Sequence, residues 1–249
     1  MRQGQRLVSL MEDRTPAVDA ARTEGMRLAQ QRCVYVVAGG EVTAEELGRL
    51  RLEPGYVIAA DAGAQALLRA GIKPDLAVGD FDTTGRGFVA ELARLGVAIE
   101  ALPPEKAETD LHFALMKATA LQPGEVRILG ALGGQRYDHM LANIALLEWL
   151  AERGVRGTLL HRTNRIRLLV GPGWIALPRQ GFQYLSLIPL SREVLGVKTE
   201  GLKYPLYGET LHRMESRGIS NEWSELDASV AIDEGKLLVV ESREGLVKS

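Results

Sequence analysis

Four aspartates, Asp61, Asp80, Asp82 and Asp110, fall within one stretch of about fifty residues, and each follows an apolar run or opens a helical pattern. Acids so placed belong at the rim of a sheet, where open α/β folds take their ligands beyond the carboxyl ends of the strands. Asp80 and Asp82, one residue apart in Gly79-Asp80-Phe81-Asp82-Thr83, point to the same side of an extended segment. Together they offer a hard, oxygen-only surface suited to hydrated Mg²⁺. Four carboxylates on one rim repel one another unless a cation is present, so their co-location points to a metal and a polyphosphate. Read singly, Asp61 does no more than cap the next helix, and Asp110, after an N-cap at Thr109, no more than favour a helix dipole.

Two further segments could serve the same chemistry. Lys106 in Glu105-Lys106-Ala107-Glu108-Thr109-Asp110 stands where an ammonium reaches a phosphate, against the ordinary reading of a solvated lysine. Gly133-Gly134-Gln135-Arg136-Tyr137-Asp138-His139 joins a strand to a helix, and its glycines let backbone N–H groups close on an anion at a helix N-terminus. Ordinary tight turns use such pairs too, and neither a Walker A sequence nor GxGxxG occurs. His112, His139, His161 and His212 lack metal-ligand spacing and read as structural or solvated. Ser216 to Trp223 gathers hydroxyls, an amide and an aromatic ring, and by itself reads as a polar loop.

The elements that must hold these residues change character once along the chain. From Cys33 to His161 short apolar strands alternate with amphipathic helices: Val34–Ala38, Tyr56–Ala60, Leu76–Val78, Val97–Glu100, Val126–Leu129 and Thr158–His161 are the strands. This alternation predicts a mainly parallel sheet covered on both faces. After Arg165 the apolar runs Ile166–Val170, Trp174–Leu177, Tyr184–Ile188, Val197–Leu202, Ala228–Ile232 and Leu237–Glu241 follow one another with turn residues between them, which predicts a small β-sandwich. The expected organisation is therefore an extension over residues 1–30, an α/β domain over 31–165 and a β-sandwich domain over 166–249.

Composition narrows the classes. With 249 residues, 25% charged and a formal net charge of -2, the chain can bury a substantial core and lacks the basic face of a dedicated nucleic-acid binder. A single cysteine, Cys33, opens an apolar run and reads as a small buried hydrophobe, so the chain reads as cytoplasmic. No apolar run approaches the ~18 residues of a membrane span.

Several long motifs in order resemble the thiamin pyrophosphokinase family: Ala60-Asp61-Ala62-Gly63-Ala64, Pro74 to Asp82, Glu105-Lys106 with Thr109-Asp110, and Gly133 to His139 continuing to Leu141-Ala142-Asn143. Leu185 to Leu190, Gly201 to Leu206 and Gly218-Ile219-Ser220-Asn221-Glu222 extend the resemblance through the second domain. It implies pyrophosphoryl transfer from ATP to thiamin, giving thiamin diphosphate and AMP. It also implies that Asp80, Asp82 and Asp110 hold Mg²⁺ and the phosphates, with Asp61 and Asp138 nearby, and that Ser220 and Asn221 hold the thiamin pyrimidine. Lys106 and Arg136 are then candidate phosphate contacts, beside Gly133 and Gly134, and Trp223 is either a contact to the flat pyrimidine or, equally, a buried aromatic ring. Family members are homodimers with the site shared between the first domain of one subunit and the β domain of the other. Ala62 and Ala107 depart from the family, which usually has glycine and an acid there. The other readings are a pyrophosphokinase of another planar alcohol, such as a hydroxymethyl pterin, and a non-catalytic sensor, for which eroded acids would be expected.

Overall fold

Val34–Val37 forms a strand, β1, with all four residues buried, as a strand covered on both faces must be. The computed structural model describes residues 33–81, 85–103 and 105–245; the extension over residues 1–30 and the acid Asp82 lie outside them. Five more strands follow in the same direction: β2 (Tyr56–Ala60), β3 (Leu76–Gly79), β4 (Ala98–Ala101), β5 (Glu125–Leu129) and β6 (Arg156–His161). They pair as a parallel sheet in the order β6-β5-β1-β2-β3-β4. The helices between them are α1 (Ala44–Leu52), α2 (Gly63–Arg69), α3 (Gly85–Arg94), α4 (Asp110–Ala120) and α5 (Tyr137–Ala151). Thr43 and Glu46 close a reciprocal capping box at the start of α1, which fixes where that helix begins.

Alternation along the strands divides the apolar residues between two faces. Val34, Val36, Ile58, Val126 and Ile128 pack with Leu111, Leu115, Leu147 and Leu150 of α4 and α5. Tyr35, Val37, Val57 and Leu129 pack on the other face with Leu47, Leu50, Leu67 and Leu92 of α1, α2 and α3.

The sheet does not stop where the texture of the sequence changes. After β6 the chain turns through Arg162 and Thr163 into β7 (Asn164–Val170), antiparallel to β6 with His161 opposite Asn164. β14 (Lys236–Ser242), β9 (Tyr184–Pro189) and β12 (Asn221–Glu222) continue it, making one ten-stranded sheet. A second sheet, in the order β11-β10-β13-β8, comprises β8 (Gly173–Pro178), β10 (Glu193–Glu200), β11 (Tyr207–His212) and β13 (Asp227–Ile232). Leu177, Leu187, Val197, Val230 and Val239 fill the space between the two sheets, so the second half is a sandwich, as expected, but one of its layers is the α/β sheet prolonged. α5 reaches across the junction, where Glu148 accepts from Lys236 Nζ at 2.8 Å. β11 and β12 were not legible as apolar runs, because β11 buries only Leu211 and β12 is two residues long.

Candidate active site

Chain order reverses between β1 and β5, which are adjacent although one leads to β2 and the other to β6; such a switch point opens a crevice at the carboxyl ends of the strands. Here the loops after β1 and β5 press together, Gly40 N–H donating to Gly130 O at 3.0 Å. A methyl on Gly40 would run into that carbonyl, so only glycine allows the approach. Around this rim the strands deliver Asp61 after β2, Asp80 after β3, Lys106 and Asp110 after β4, Gly133 and Gly134 after β5, and His161 at the end of β6.

Asp61 and Phe81 both adopt left-handed backbone, with φ of 46° and 55°, a conformation that costs non-glycine residues energy and clusters at functional sites. Phe81 is buried in the core under α3, which pins the loop carrying Asp80. Asp61 does not cap α2: the cap position is Ala62, and no side chain bonds there. Ala62 has an ordinary helical φ of -60°, and its methyl group would just touch one added to Gly39, at 3.3 Å. The departure from the family's glycine is thus accommodated without strain. Asp61 Oδ1 is buried with no hydrogen-bond partner. Burial raises the pKa of Asp61, the Ala62 N–H opposes it, and the carboxylates of Asp110 and Asp80 add to the rise.

Lys106 stands at the centre. Its side chain, only 10% exposed, places Nζ 3.3 Å from Asp80 Oδ2 and 2.9 Å from Asp110 Oδ1. Burial works against the ammonium, but the carboxylates of Asp110 and Asp80 outweigh it and hold its pKa above the ordinary lysine value. Thr109 caps α4, its hydroxyl accepting from His112 N–H at 3.2 Å, and so sets Asp110 in the first turn, facing the lysine. Among the described residues no three metal-binding side chains form a ready cage. A hydrated Mg²⁺ needs none, since it is held by one or two carboxylates and substrate phosphates. An orphaned Asp61 oxygen beside two further acids fits such an ion.

Gly133 and Gly134 have φ of 87° and 84°, and this turn exposes backbone ahead of the α5 N-terminus. Arg136 lies there in a two-pronged pair with Asp138, at 2.9 and 2.5 Å, both side chains mostly exposed. That pairing holds the Asp138 carboxyl below the usual range. His161, read from sequence as structural or solvated, faces the same turn: its Nε2 lies 3.7 Å from where a Gly133 Cβ would stand. Thr163 N–H donates to His161 Nδ1 at 3.3 Å, which leaves the ring proton on Nε2, toward the turn. The signal available in the sequence was its position as the last residue of a strand.

In the sandwich, Ser220 is exposed with φ of 57°, and its N–H donates to Ser186 Oγ at 3.0 Å. Asn221 spends its amide inside the chain: Oδ1 accepts from Tyr204 N–H at 3.1 Å, and Nδ2 donates to Tyr204 O at 2.7 Å. Trp223, open from sequence to a substrate contact or a buried ring, is 7% exposed in the sandwich core with its indole N–H on Leu177 O at 3.3 Å. A large ring three residues beyond Ser220 buries more apolar area inward than it could outward. Tyr204, whose backbone Asn221 holds, keeps its ring 60% exposed. Seven strand steps separate β12 from β2 in the sheet, roughly 34 Å at the usual interstrand spacing. Within one chain, therefore, the acids and Ser220 do not meet.

Compared with known proteins, residues 49–159 match the family model described as "Thiamin pyrophosphokinase, catalytic domain", and residues 175–237 match "Thiamin pyrophosphokinase, vitamin B1 binding domain". The chain is 30% identical over 213 residues to the thiamine pyrophosphokinase of Bacillus subtilis (strain 168), covering 85% of this chain and 99% of that one. The crystal structure of thiamine pyrophosphokinase from Bacillus subtilis superposes with a TM-score of 0.78 at 29% identity, covering 86% of this chain and all of that one. Thiamin pyrophosphokinase from Candida albicans shares the fold at 18% identity, with a TM-score of 0.71 over 85% of this chain and 90% of its own.

Proposed function

Because the chain belongs to the thiamin pyrophosphokinase family, we propose that its acidic rim is where a pyrophosphoryl group passes from ATP to the hydroxyl of thiamin, releasing AMP. The observation that carries this reading is the set Asp61, Asp80, Lys106 and Asp110 gathered at the carboxyl ends of three adjacent strands, with one acid oxygen unsatisfied. Asp80 and Asp110, together with Asp82, would hold Mg²⁺, which supplies charge neutralisation on the phosphate oxygens when bound. Lys106, already poised between two carboxylates, is the cation that meets the incoming polyphosphate. Gly133, Gly134 and the α5 N-terminus offer backbone donors to the same anion, with Arg136 and the His161 Nε2–H on either side. A loose phosphoryl transition state asks for positioning and electrostatics more than for a base, and these residues supply both.

Thiamin is assigned to the sandwich loops. Ser220 and the Tyr204 ring present a hydroxyl and a flat face to the pyrimidine, and Asn221 and Trp223 hold those loops in place. Since the two half-sites lie on opposite ends of one sheet, the functional unit is a homodimer in which the acids of one protomer face Ser220 of its partner. We divide the chain near Arg165 into an ATP-binding and a thiamin-binding part, and place it in the cytoplasm: its one cysteine is unpaired, and no described helix is long and apolar enough to cross a membrane.

The test is incubation of the protein with thiamin, ATP and Mg²⁺ and chromatographic separation of the products. Thiamin diphosphate with equimolar AMP is expected; ADP with thiamin monophosphate, or no product despite thiamin binding, would overturn the reading. Two variants probe the half-sites. Asp61→Asn lowers turnover by at least about tenfold yet raises the melting temperature. The sign follows from its raised pKa: the proton is bound more tightly in the folded state, so stability is greatest below the unfolded pKa and is lost as pH rises through the folded one. A neutral amide escapes that loss. Tyr204→Ala raises KM for thiamin by about tenfold, the worth of a lost ring contact, with KM for ATP unchanged.

A further inference from the structure

On the face of the sheet that packs α1, helical cover ends at α1 and the second sheet begins only at β8. A cleft of about 850 Å³ opens between them, over a floor of β5, β6 and β7. It lies toward the amino ends of β5 and β6, away from the acidic rim. Five arginines line it, Arg49, Arg127, Arg156, Arg165 and Arg167, in a chain whose formal net charge is -2. Three carboxylates answer them. Glu53 and Glu125 both pair with Arg127, whereas Arg165 and Arg167 must share the fully buried Glu241, at 2.5 Å each. Arg167 Nε is left buried with no acceptor, and burial, aided by the charge of Arg165, lowers its pKa. Among the described residues, Arg49 and Arg156 pair with no carboxylate. The cleft thus carries an excess of two positive charges and an unmet donor. Its far wall is β8, the outer strand of its sheet, which turns Trp174 outward with 65% of its surface exposed.

We propose that this cleft binds a small aromatic phosphomonoester, its dianion taken by the arginines and its ring laid on Trp174. A phosphate suits the geometry better than a carboxylate, because guanidinium groups approach from the sheet floor, from α1 and from the start of β6, and a tetrahedral anion accepts from all three directions. An exposed indole at the mouth of a charged cleft supplies the apolar surface that such a ligand covers. Ligand binding here needs no residue of the acidic rim, so the inference stands apart from the proposed reaction.

The probe is phenyl phosphate, titrated calorimetrically and by tryptophan fluorescence into the full-length protein. One site is expected, with emission quenched and with tighter binding than inorganic phosphate. Arg49→Ala/Arg156→Ala, which disturbs no buried pair, weakens binding about tenfold or more, as loss of charge-assisted contacts does. Trp174→Leu abolishes the quenching and the preference over inorganic phosphate while phosphate still binds. Lys106→Met leaves phenyl phosphate binding unchanged. Absence of binding, equal affinity in the double arginine variant, or loss of binding in Lys106→Met would each overturn the proposal.

Discussion

Asp80→Asn and Asp110→Asn each lower the formation of AMP and thiamin diphosphate by on the order of a thousandfold, at saturating ATP, with little change in the melting temperature. Both acids sit at the rim, and neither is buried in the core. What each holds is Lys106, at 3.3 and 2.9 Å, and in the proposed site a cation and the phosphates. Exchanging one oxygen for an amide group keeps the shape but removes the charge that orders the centre. Asp75, five residues before Asp80 in the same motif, supplies the contrast. Its Oδ2 accepts from Val57 N–H at 2.7 Å and so pins the start of β3 to β2. Asp75→Ala, which leaves that Val57 N–H without its acceptor, therefore costs stability and leaves the rate per folded molecule near that of the parent. Steady-state kinetics with thermal melts on all three variants separate the two roles. A rim variant that keeps full activity would remove that acid from the site.

Glu241→Ala destabilises the fold by about 3–5 kcal/mol, measured by urea unfolding, because it strands buried guanidinium charge without its counter-ion. Glu241 is wholly inaccessible; both its oxygens are taken, Oε1 by Arg165 and Oε2 by Arg165 and Arg167 together. The pair joins β14 to β7, the strands that prolong the α/β sheet into the sandwich. Removing an ion pair at an exposed position such as Lys203–Glu222, 3.0 Å apart, is expected to cost less than about 1 kcal/mol. A Glu241→Ala variant as stable as the Lys203→Ala variant would show that the buried charges are neutralised by something other than this carboxylate.

How far the chain could be read depended on whether its signals were local. The strands β1 to β6 and the helices between them were legible because period and burial agree, as in Val34–Val37, where every residue is apolar and every residue is buried. Thr109 as a cap and the rim position of Asp61, Asp80 and Asp110 were legible for the same reason, since strand ends and helix starts are written in neighbouring residues. Lys106 was legible as a candidate but not as a buried ion-pair partner, because its neighbours Asp80 and Asp110 are brought to it by β3 and α4. Trp223 was open to two readings, because from sequence an aromatic ring near Ser220 faces either way, and its burial in the sandwich, with the indole N–H on Leu177 O, depends on a strand 46 residues away.

The order of motifs, the two textures of the chain and the acids themselves were determined by the sequence alone, since they rest on residue identity and on contacts within a turn or a strand. Tertiary structure decided the rest. It ran one sheet through the expected boundary, because a two-residue turn after β6 leaves β7 no course but antiparallel pairing with it. It set β12, which follows Ser220, seven strand steps from β2, which precedes Asp61, a separation that no local pattern encodes. It also gathered five arginines from α1, β5, β6 and β7 into one cleft, a charge pattern that no stretch of the sequence contains, because electrostatic excess is a property of what folding brings side by side.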